Sequence, residues 1–179
     1  MERALRPEST GDAERMKYSR ILALDCATRT GWAHGIFRPH LDGWTRSSGA
    51  VQFEPAKTAG LPRLLSDFDS WLEKIVASMS VDKPIGLIVH EQPHHRGFNT
   101  FHLVGMAALV NMRAYRVQAN VFSAHSASVK KHATGSGRAK KPEMIAAAKE
   151  HWPHVRDDDE ADAMWILDYA IKQFGAAGE

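Results

Sequence analysis

Acidic residues follow two of the apolar stretches of this chain. Asp25 comes directly after residues 21–24, and Glu91 follows the stretch that begins at residue 85. A short, continuous apolar stretch predicts a strand that is buried on both faces of a sheet. A carboxylate at the end of such a strand is costly unless it meets water, a hydrogen-bond donor or a metal ion. Asp25 and Glu91 are therefore candidates for one functional site on which other acids could converge.

A second group of acids opens the last predicted helix. Asp159 and Asp162 stand three residues apart, so their carboxylates share one face of a helix. Helix capping is the alternative explanation, because Asp157 at the N-cap and Glu160 three residues later would make a capping box. Capping accounts for that pair but does not explain Asp162, which is flanked by apolar residues. We therefore predict that Asp159 and Asp162 bind metal.

The four predicted ligands are all oxygen donors. They are Asp25, Glu91, Asp159 and Asp162. Hard oxygen ligands favour Mg²⁺, with Mn²⁺ as a substitute, over Zn²⁺. Two such ions about 3.5–4 Å apart can activate water and stabilise the leaving oxygen of a phosphodiester. The single cysteine, Cys26, excludes a multi-cysteine zinc site and an internal disulfide. The predicted chemistry is metal-dependent hydrolysis.

Basic residues could bind the backbone of a nucleic acid. Five of them are close in sequence: Lys130, Lys131, Arg138, Lys140 and Lys141. Contacts of this kind orient a nucleic acid and make binding salt-dependent, without reading bases. A solvated surface is the alternative, but Gly135 and Gly137 lie in the same segment and allow close backbone approach. Arg29, soon after Asp25, is a further candidate for a phosphate contact.

Length and composition restrict the class of protein. The chain has 179 residues and a net charge of +2, which predicts one soluble domain and leaves the partner undecided. The apolar stretches are far shorter than the ~20 residues of a membrane span, so we expect no membrane partner and a cytoplasmic location. We expect a disordered leader at residues 1–18 and the domain at residues 19–175.

The hydrophobic spacing predicts alternating strands and helices. Strands are expected at residues 21–24, 32–37, 47–53, 85–89 and 120–123, and helices at residues 61–79, 101–117, 126–132, 142–151 and 157–174. A polar turn at residues 28–31 should join the first two strands, with Gly31 at a position whose backbone dihedral angles favour glycine. The basic segment 134–141 should be a flexible loop. The helix at 101–117 is apolar most of the way round, so either the monomer or a second subunit must cover its outer side.

Four segments resemble the RuvC family of Holliday junction resolvases in the RNase H-like superfamily, especially its phage-type members. They are ILALDCATRTGWA, IVHEQ, VKKHATGSGRAKKPEM and DDDEADAMWILDYA, and they follow the order of the family. The resemblance implies an α/β fold with an RNase H-like mixed five-stranded sheet flanked by helices. It also implies a homodimer that makes paired symmetric nicks in four-way or branched DNA, with two Mg²⁺ ions per active site.

The resemblance also implies roles for particular residues. Asp25 matches the aspartate of the family's first strand, and Glu91 matches the glutamate of its fourth strand. Asp159 and Asp162 match the two acids of the last helix, with Asp158 as the alternative to Asp159. By this analogy the products carry 5′-phosphate and 3′-hydroxyl ends.

The segment after Glu91 departs from the bacterial pattern, in which an aromatic residue wedges into the junction. Phe98 is the candidate wedge in this chain, whereas we expect Phe101 to lie in the core. His94 and His95 could contact phosphate, although a surface position is the more common role of such a pair. The departure leaves open a looser branched-DNA nuclease with the same metal site.

Two other classes of protein are alternatives. An actin-like ATPase or sugar kinase also begins with a strand, an aspartate and a turn, but it needs a second phosphate loop and a longer chain of two lobes. A junction-binding protein without activity would not need four acids beside a polyanion. The nuclease is therefore the leading hypothesis.

Overall fold

The computed structural model of the protein describes residues 18–93 and 100–176. In these residues the strands are β1 (Arg20–Asp25), β2 (Arg29–Arg38), β3 (Gly43–Gln52), β4 (Leu87–Glu91) and β5 (Asn120–Ala124). They form one sheet in the order β3-β2-β1-β4-β5. β2 is antiparallel to β1 and β3, whereas β4 is parallel to β1 and β5. The prediction of a mixed five-stranded sheet is confirmed.

Helices cover both faces of this sheet. In the described part of the chain they are α1 (Ala56–Ala59), α2 (Leu61–Met79), α3 (Thr100–Arg116), α4 (Ser126–Thr134), α5 (Lys141–His151) and α6 (Asp158–Phe174). α2 and α3 pack on the face that carries Leu22 and Leu24. α4, α5 and α6 pack on the opposite face, which carries Ile21 and Ala23. None of these described helices has the length and apolar character needed to cross a membrane.

The central strand β1 is apolar throughout because both of its faces are covered. Ile21, Leu22, Ala23 and Leu24 have no solvent exposure. Alternate residues of the strand belong to the two separate hydrophobic clusters. The first polar side chain after this run is Asp25, which therefore lies at the C-terminal end of β1, where the strand leaves the sheet.

The turn between β1 and β2 comes earlier than predicted. β2 begins at Arg29, so most of the turn predicted at residues 28–31 belongs to the strand instead. The Thr30 hydroxyl donates to the Ala27 carbonyl at 2.6 Å and accepts from the Ala27 N–H at 3.3 Å. These two hydrogen bonds between Thr30 and Ala27 close the turn, so that β2 begins at Arg29. Polar residue types suggested a loop, but pairing of Arg29 with Gln52 of β3 keeps them in the sheet.

β3 begins at Gly43, four residues before the predicted start at residue 47. A short 3-10 helix at Pro39–Leu41 and a left-handed Asp42 (φ 45°) reverse the chain within a few residues. Strand pairing therefore resumes at once, with Gly43 opposite Arg38. The loop between β2 and β3 is therefore shorter than predicted.

Gly31 has a different role from the one predicted. It lies within β2, and it is absent from the described glycines with positive φ. A Cβ atom added at Gly31 would lie 1.9 Å from the carbonyl oxygen of Asp159. The missing side chain therefore allows the first turn of α6 to approach the sheet closely, which brings that helix to the edge where Asp25 emerges.

The basic segment predicted to be a flexible loop is instead a series of hydrogen-bonded turns. Gly135 (φ 79°) ends α4 in the left-handed conformation. The Thr134 hydroxyl donates to the Lys130 carbonyl at 3.0 Å and accepts the Ser136 N–H at 3.2 Å. Ala139 is buried and anchors the segment to the core.

The outer side of α3 is exposed. Its inner side buries Met106, Ala107, Val110, Arg113 and Ala114. Four large apolar side chains point outward: Phe101 (72% exposed), Val104 (44%), Met112 (46%) and Tyr115 (86%). The prediction that Phe101 lies in the core is wrong, because the helix turns that residue away from the sheet.

Candidate active site

Asp25 and Glu91 leave the sheet side by side. β1 and β4 are parallel, and Leu24 stands opposite His90, so the next residue of each strand lies at the same edge. Asp162, in the second turn of α6, faces the same place. Asp25, Glu91 and Asp162 together line one pocket of about 240 Å³. Three of the four predicted metal ligands therefore converge.

The electrostatics of this pocket disfavour an empty cluster of charged carboxylates. Burial raises the pKa of Asp25 well above its usual range, and the charges of Asp162 and Glu91 raise it further. Burial also raises the pKa of Asp162 to about 6, with Glu91 as the next cause. A divalent cation would offset this repulsion. Since all three side chains donate oxygen, the donor set fits Mg²⁺ or Mn²⁺.

Asp159 points elsewhere. Its Oδ2 atom accepts a hydrogen bond from Arg29 Nε at 2.7 Å. It lines a neighbouring pocket of about 840 Å³ together with Arg29 and Phe101. Burial raises the pKa of Asp159, and the Arg29 guanidinium opposes that rise. The carboxylate of Asp159 is close enough to raise the pKa of Asp25, but it does not line the pocket of the other three acids.

Asp158, the alternative to Asp159, is paired with Lys141. The hydrogen bond from Lys141 is the main reason that the pKa of Asp158 is lowered. Within the described residues, the three acids whose ligand oxygens lie within 4.8 Å of one another are Asp157, Asp158 and Asp159. Each of them already binds Arg29 or Lys141. Two protein cations therefore offset part of the negative charge of this trio at the start of α6.

The predicted basic residues surround the acidic pocket unevenly. Lys130 lines the same pocket as the three acids. Burial and Glu91 raise the pKa of Asp162, while the positive charges of Lys141 and Lys130 offset part of that rise. Arg138 and Lys140 line a separate groove between α4 and α5. Lys131 is exposed on α4. Lys130 and Lys141 are thus the two members nearest the acids.

The candidate wedge cannot be placed. Phe98 lies outside the described residues, as do His94 and His95. Most of the predicted leader lies outside them too, and its disorder stays a prediction. Tyr18, at the end of that predicted leader, forms a bridge to Gly175 beyond α6.

Glu160 is a buried acid whose surroundings the sequence did not suggest. Asp157 caps α6 as predicted, because its Oδ1 atom accepts the Glu160 N–H at 3.0 Å. The Glu160 carboxylate does not complete the predicted capping box in the usual way; it accepts from the Arg156 N–H at 2.9 Å and the Ser48 hydroxyl at 2.8 Å. Burial alone would raise the pKa of Glu160, but these hydrogen bonds outweigh it and lower the pKa. Glu160 thereby ties α6 to β3.

The chain has an RNase H-like fold, similar to the folds of solved Holliday junction resolvases. RuvC of Thermus thermophilus is 16% identical to it with a TM-score of 0.64, and the match covers 86% of this chain and 95% of that one. The yeast mitochondrial Holliday junction resolvase Ydc2 is 10% identical with a TM-score of 0.60, covering 90% and 81%. Fowlpox virus resolvase, solved with Holliday junction DNA, is 12% identical with a TM-score of 0.52, covering 83% and 97%.

These comparisons rest on structure. The sequence matches no protein-family model and no curated protein. The resemblance to the RuvC family seen in four segments of the sequence is confirmed at the level of the fold.

Proposed function

We propose that the protein is a divalent-metal-dependent endonuclease that resolves four-way or branched DNA. The observation that carries the proposal is the convergence of Asp25, Glu91 and Asp162 on one pocket, with Lys130 at its wall. Three carboxylates gathered in one pocket would repel DNA unless cations occupied it. The fold shared with proteins solved on Holliday junction DNA supports the same substrate.

Asp25, Glu91 and Asp162 are the residues that would hold the metal, and Asp159 would join them on release from Arg29. Bound Mg²⁺ supplies Lewis acidity and an activated water for phosphodiester hydrolysis. Asp25 is central, because its carboxyl interacts with the charges of the other acids. The resemblance implies two ions per site. Asp25 and the carboxylates around it would be shared between them.

The basic residues would hold the DNA strand against this pocket. Lys130 and Lys141 are near enough to the acids to influence the pKa of Asp162. We expect them to contact the phosphate that is cut and its neighbour. Lys131, Arg138 and Lys140 lie farther along the same two helices and the turns between them, where they would contact the flanking backbone.

A cleavage assay on DNA of defined shape tests the function. Labelled four-way junction, flap and linear duplex are incubated with the protein in Mg²⁺ or in EDTA. We expect paired nicks in the junction with Mg²⁺, little cutting of duplex, and none in EDTA. Equal cutting of all branched substrates would favour the broader nuclease. Junction binding without cutting would favour the non-catalytic binding protein, and ATP hydrolysis without DNA cleavage would favour the kinase-like alternative.

We also propose a homodimer formed through the outer side of α3. Its exposed residues Phe101, Val104, Met112 and Tyr115 recur at helical spacing and make one apolar stripe. The stripe spans fifteen residues, and its fourteen steps of 1.5 Å make about 21 Å, which is long enough for helix-to-helix packing. A second copy fits because an identical stripe is its own complement, and two sites would nick two strands.

The double variant Val104→Glu, Met112→Glu is expected to convert the dimer to a monomer, because two charges would be buried against apolar side chains. Gel filtration with light scattering measures the mass. Val81→Glu is the matched control, since Val81 is 81% exposed but lies outside α3. A wild-type protein that is monomeric at high concentration, or a double variant that stays dimeric, would contradict the α3 interface.

A further inference from the structure

Arg29 joins the start of β2 to the start of α6. Its Nε atom donates to Asp159 Oδ2 at 2.7 Å, and its Nη2 atom donates to Asp157 Oδ2. Asp157 also caps α6 through the Glu160 N–H. The guanidinium therefore binds both Asp157, the N-cap of α6, and Asp159, the predicted metal ligand. It lies only four residues after Asp25 in the sequence.

The position of this cation accounts for the direction in which Asp159 points. Asp162 lies on the same side of the helix as Asp159, three residues later, and it faces the pocket of Asp25 and Glu91. Asp159 instead lines the adjoining pocket with Arg29. The oxygen that Arg29 binds is one that a metal ion would need. A guanidinium and a divalent ion therefore compete for this carboxylate.

The contacts of Arg29 with Asp157 and Asp159 can be broken. The Arg29 side chain is 45% exposed, so the guanidinium can move into water, whereas the Asp159 side chain is only 17% exposed and needs a replacement cation. Exposed ion pairs contribute little to stability, about 0–1 kcal/mol, because water screens them. A divalent ion that also meets Asp25, Glu91 and Asp162 gains several carboxylates at once. The exchange favours the ion.

We infer that Arg29 is a stand-in cation, a positioning residue that holds Asp159 out of the acidic pocket until a divalent ion displaces it. The inference rests on the proposed function, since it takes the acidic pocket to be the metal site. Arg29 offsets part of the negative charge of Asp159 and Asp157 and keeps the first turn of α6 against β2. The displaced guanidinium stays beside the site, where it can contact a DNA phosphate.

A purely structural role for Arg29 predicts the opposite result. If the guanidinium served to orient Asp159 for the metal, removing it would weaken metal binding. If it served as a stand-in cation, removing it would strengthen metal binding, because the ion would no longer displace a competitor. The sign of the change in affinity therefore separates the two roles.

Mn²⁺ binding to the full chain without DNA, measured by calorimetry, tests the inference. Arg29→Met removes the charge and the donors but keeps an unbranched side chain about as long as the arginine stem. We expect this variant to bind Mn²⁺ about three- to fivefold more tightly than the wild type, the size of one screened ion pair. Arg63→Met is the matched control, since Arg63 Nε makes the same 2.7 Å contact with Asp67 on α2. Its Mn²⁺ affinity should equal that of the wild type.

A second variant shows whether the effect acts through Asp159. In a protein that already carries Asp159→Asn, adding Arg29→Met should no longer raise the affinity for Mn²⁺, because the two residues act as one unit. An unchanged or weaker affinity in Arg29→Met, or a gain that persists with Asp159→Asn, would overturn the inference and leave the proposed function intact. If neither the wild type nor Arg63→Met bound Mn²⁺, the metal site itself would be wrong and both proposals would fall.

Discussion

Asp25→Asn is expected to lower the rate of junction cleavage by at least about 10³-fold, equivalent to about 4 kcal/mol of transition-state stabilisation. Asp25 lies at the centre of the acidic pocket, where the charges of Asp162 and Glu91 both act on it. An amide has nearly the same shape as the carboxylate but carries no charge to hold a cation. The variant should therefore fold and still bind the junction, since it removes one repelling charge from the site.

Single-turnover cleavage of a labelled four-way junction in Mg²⁺ measures the rate, and a gel-shift assay in EDTA measures binding. Asp42→Asn is the control substitution, because Asp42 lies in the turn before β3 and asparagine tolerates its left-handed conformation. It should cut at the wild-type rate. Cleavage by Asp25→Asn at that same rate would show that the acidic pocket is not the active site.

Gly31→Ala is expected to reduce cleavage by about 10²-fold or more while leaving every acidic residue in place. The added Cβ would lie 1.9 Å from the Asp159 carbonyl oxygen and 2.5 Å from its carbonyl carbon. These are backbone atoms, so the first turn of α6 must move by roughly 1 Å, and a displacement of that size can cost 10²-fold in rate. Asp159 and Asp162 would move with the helix and away from Asp25.

The measurements are junction cleavage, Mn²⁺ affinity and thermal unfolding. Overpacking of this kind also lowers stability, by about 1–3 kcal/mol, so assays are run well below the unfolding temperature. Gly43→Ala is the matched control on the neighbouring strand, where the nearest atom, the Leu41 carbonyl oxygen, lies at 3.5 Å. Full metal affinity and full activity in Gly31→Ala would rule out a positioning role for this close approach.

The acids at the strand ends were predictable because strand geometry is local. A continuous apolar run predicts a strand that is covered on both faces, and the first polar residue after it must lie at the sheet edge. β1 follows this rule at Asp25, whereas in β4 the buried His90 comes between the apolar run and Glu91. Parallel pairing of the two strands then places Asp25 and Glu91 together. Asp162 was also found from local information, since an acid among apolar residues of a helix must face a polar site.

The direction of Asp159 was not predictable from its neighbours in sequence. Helical spacing correctly places Asp159 one turn before Asp162, but a side chain can turn to either side of that position. Arg29, 130 residues earlier, provides the partner that decides it. The pairing of Lys141 with Asp158 is of the same kind. Contacts between distant segments have no signature in the spacing of residues.

Residue type alone is misleading at two positions of this chain. Gly31 was assigned to a turn because glycine favours turns, yet its small size serves the packing of α6 on β2. Phe101 is one of the apolar residues of the predicted helix and is expected in the core, yet α3 directs it to solvent. In both cases the outcome depends on which surface a neighbouring element presents.

The sequence by itself determined the order of strands and helices and three of the acids that meet in the pocket. Periodicity and strand-end position are properties of the local chain, which the backbone imposes wherever the segment packs. Only the tertiary structure decided that Asp159 binds Arg29, that Gly31 makes room for α6, and that one side of α3 remains uncovered. Those features depend on distances between segments far apart in the chain, which are set when the helices pack on the sheet.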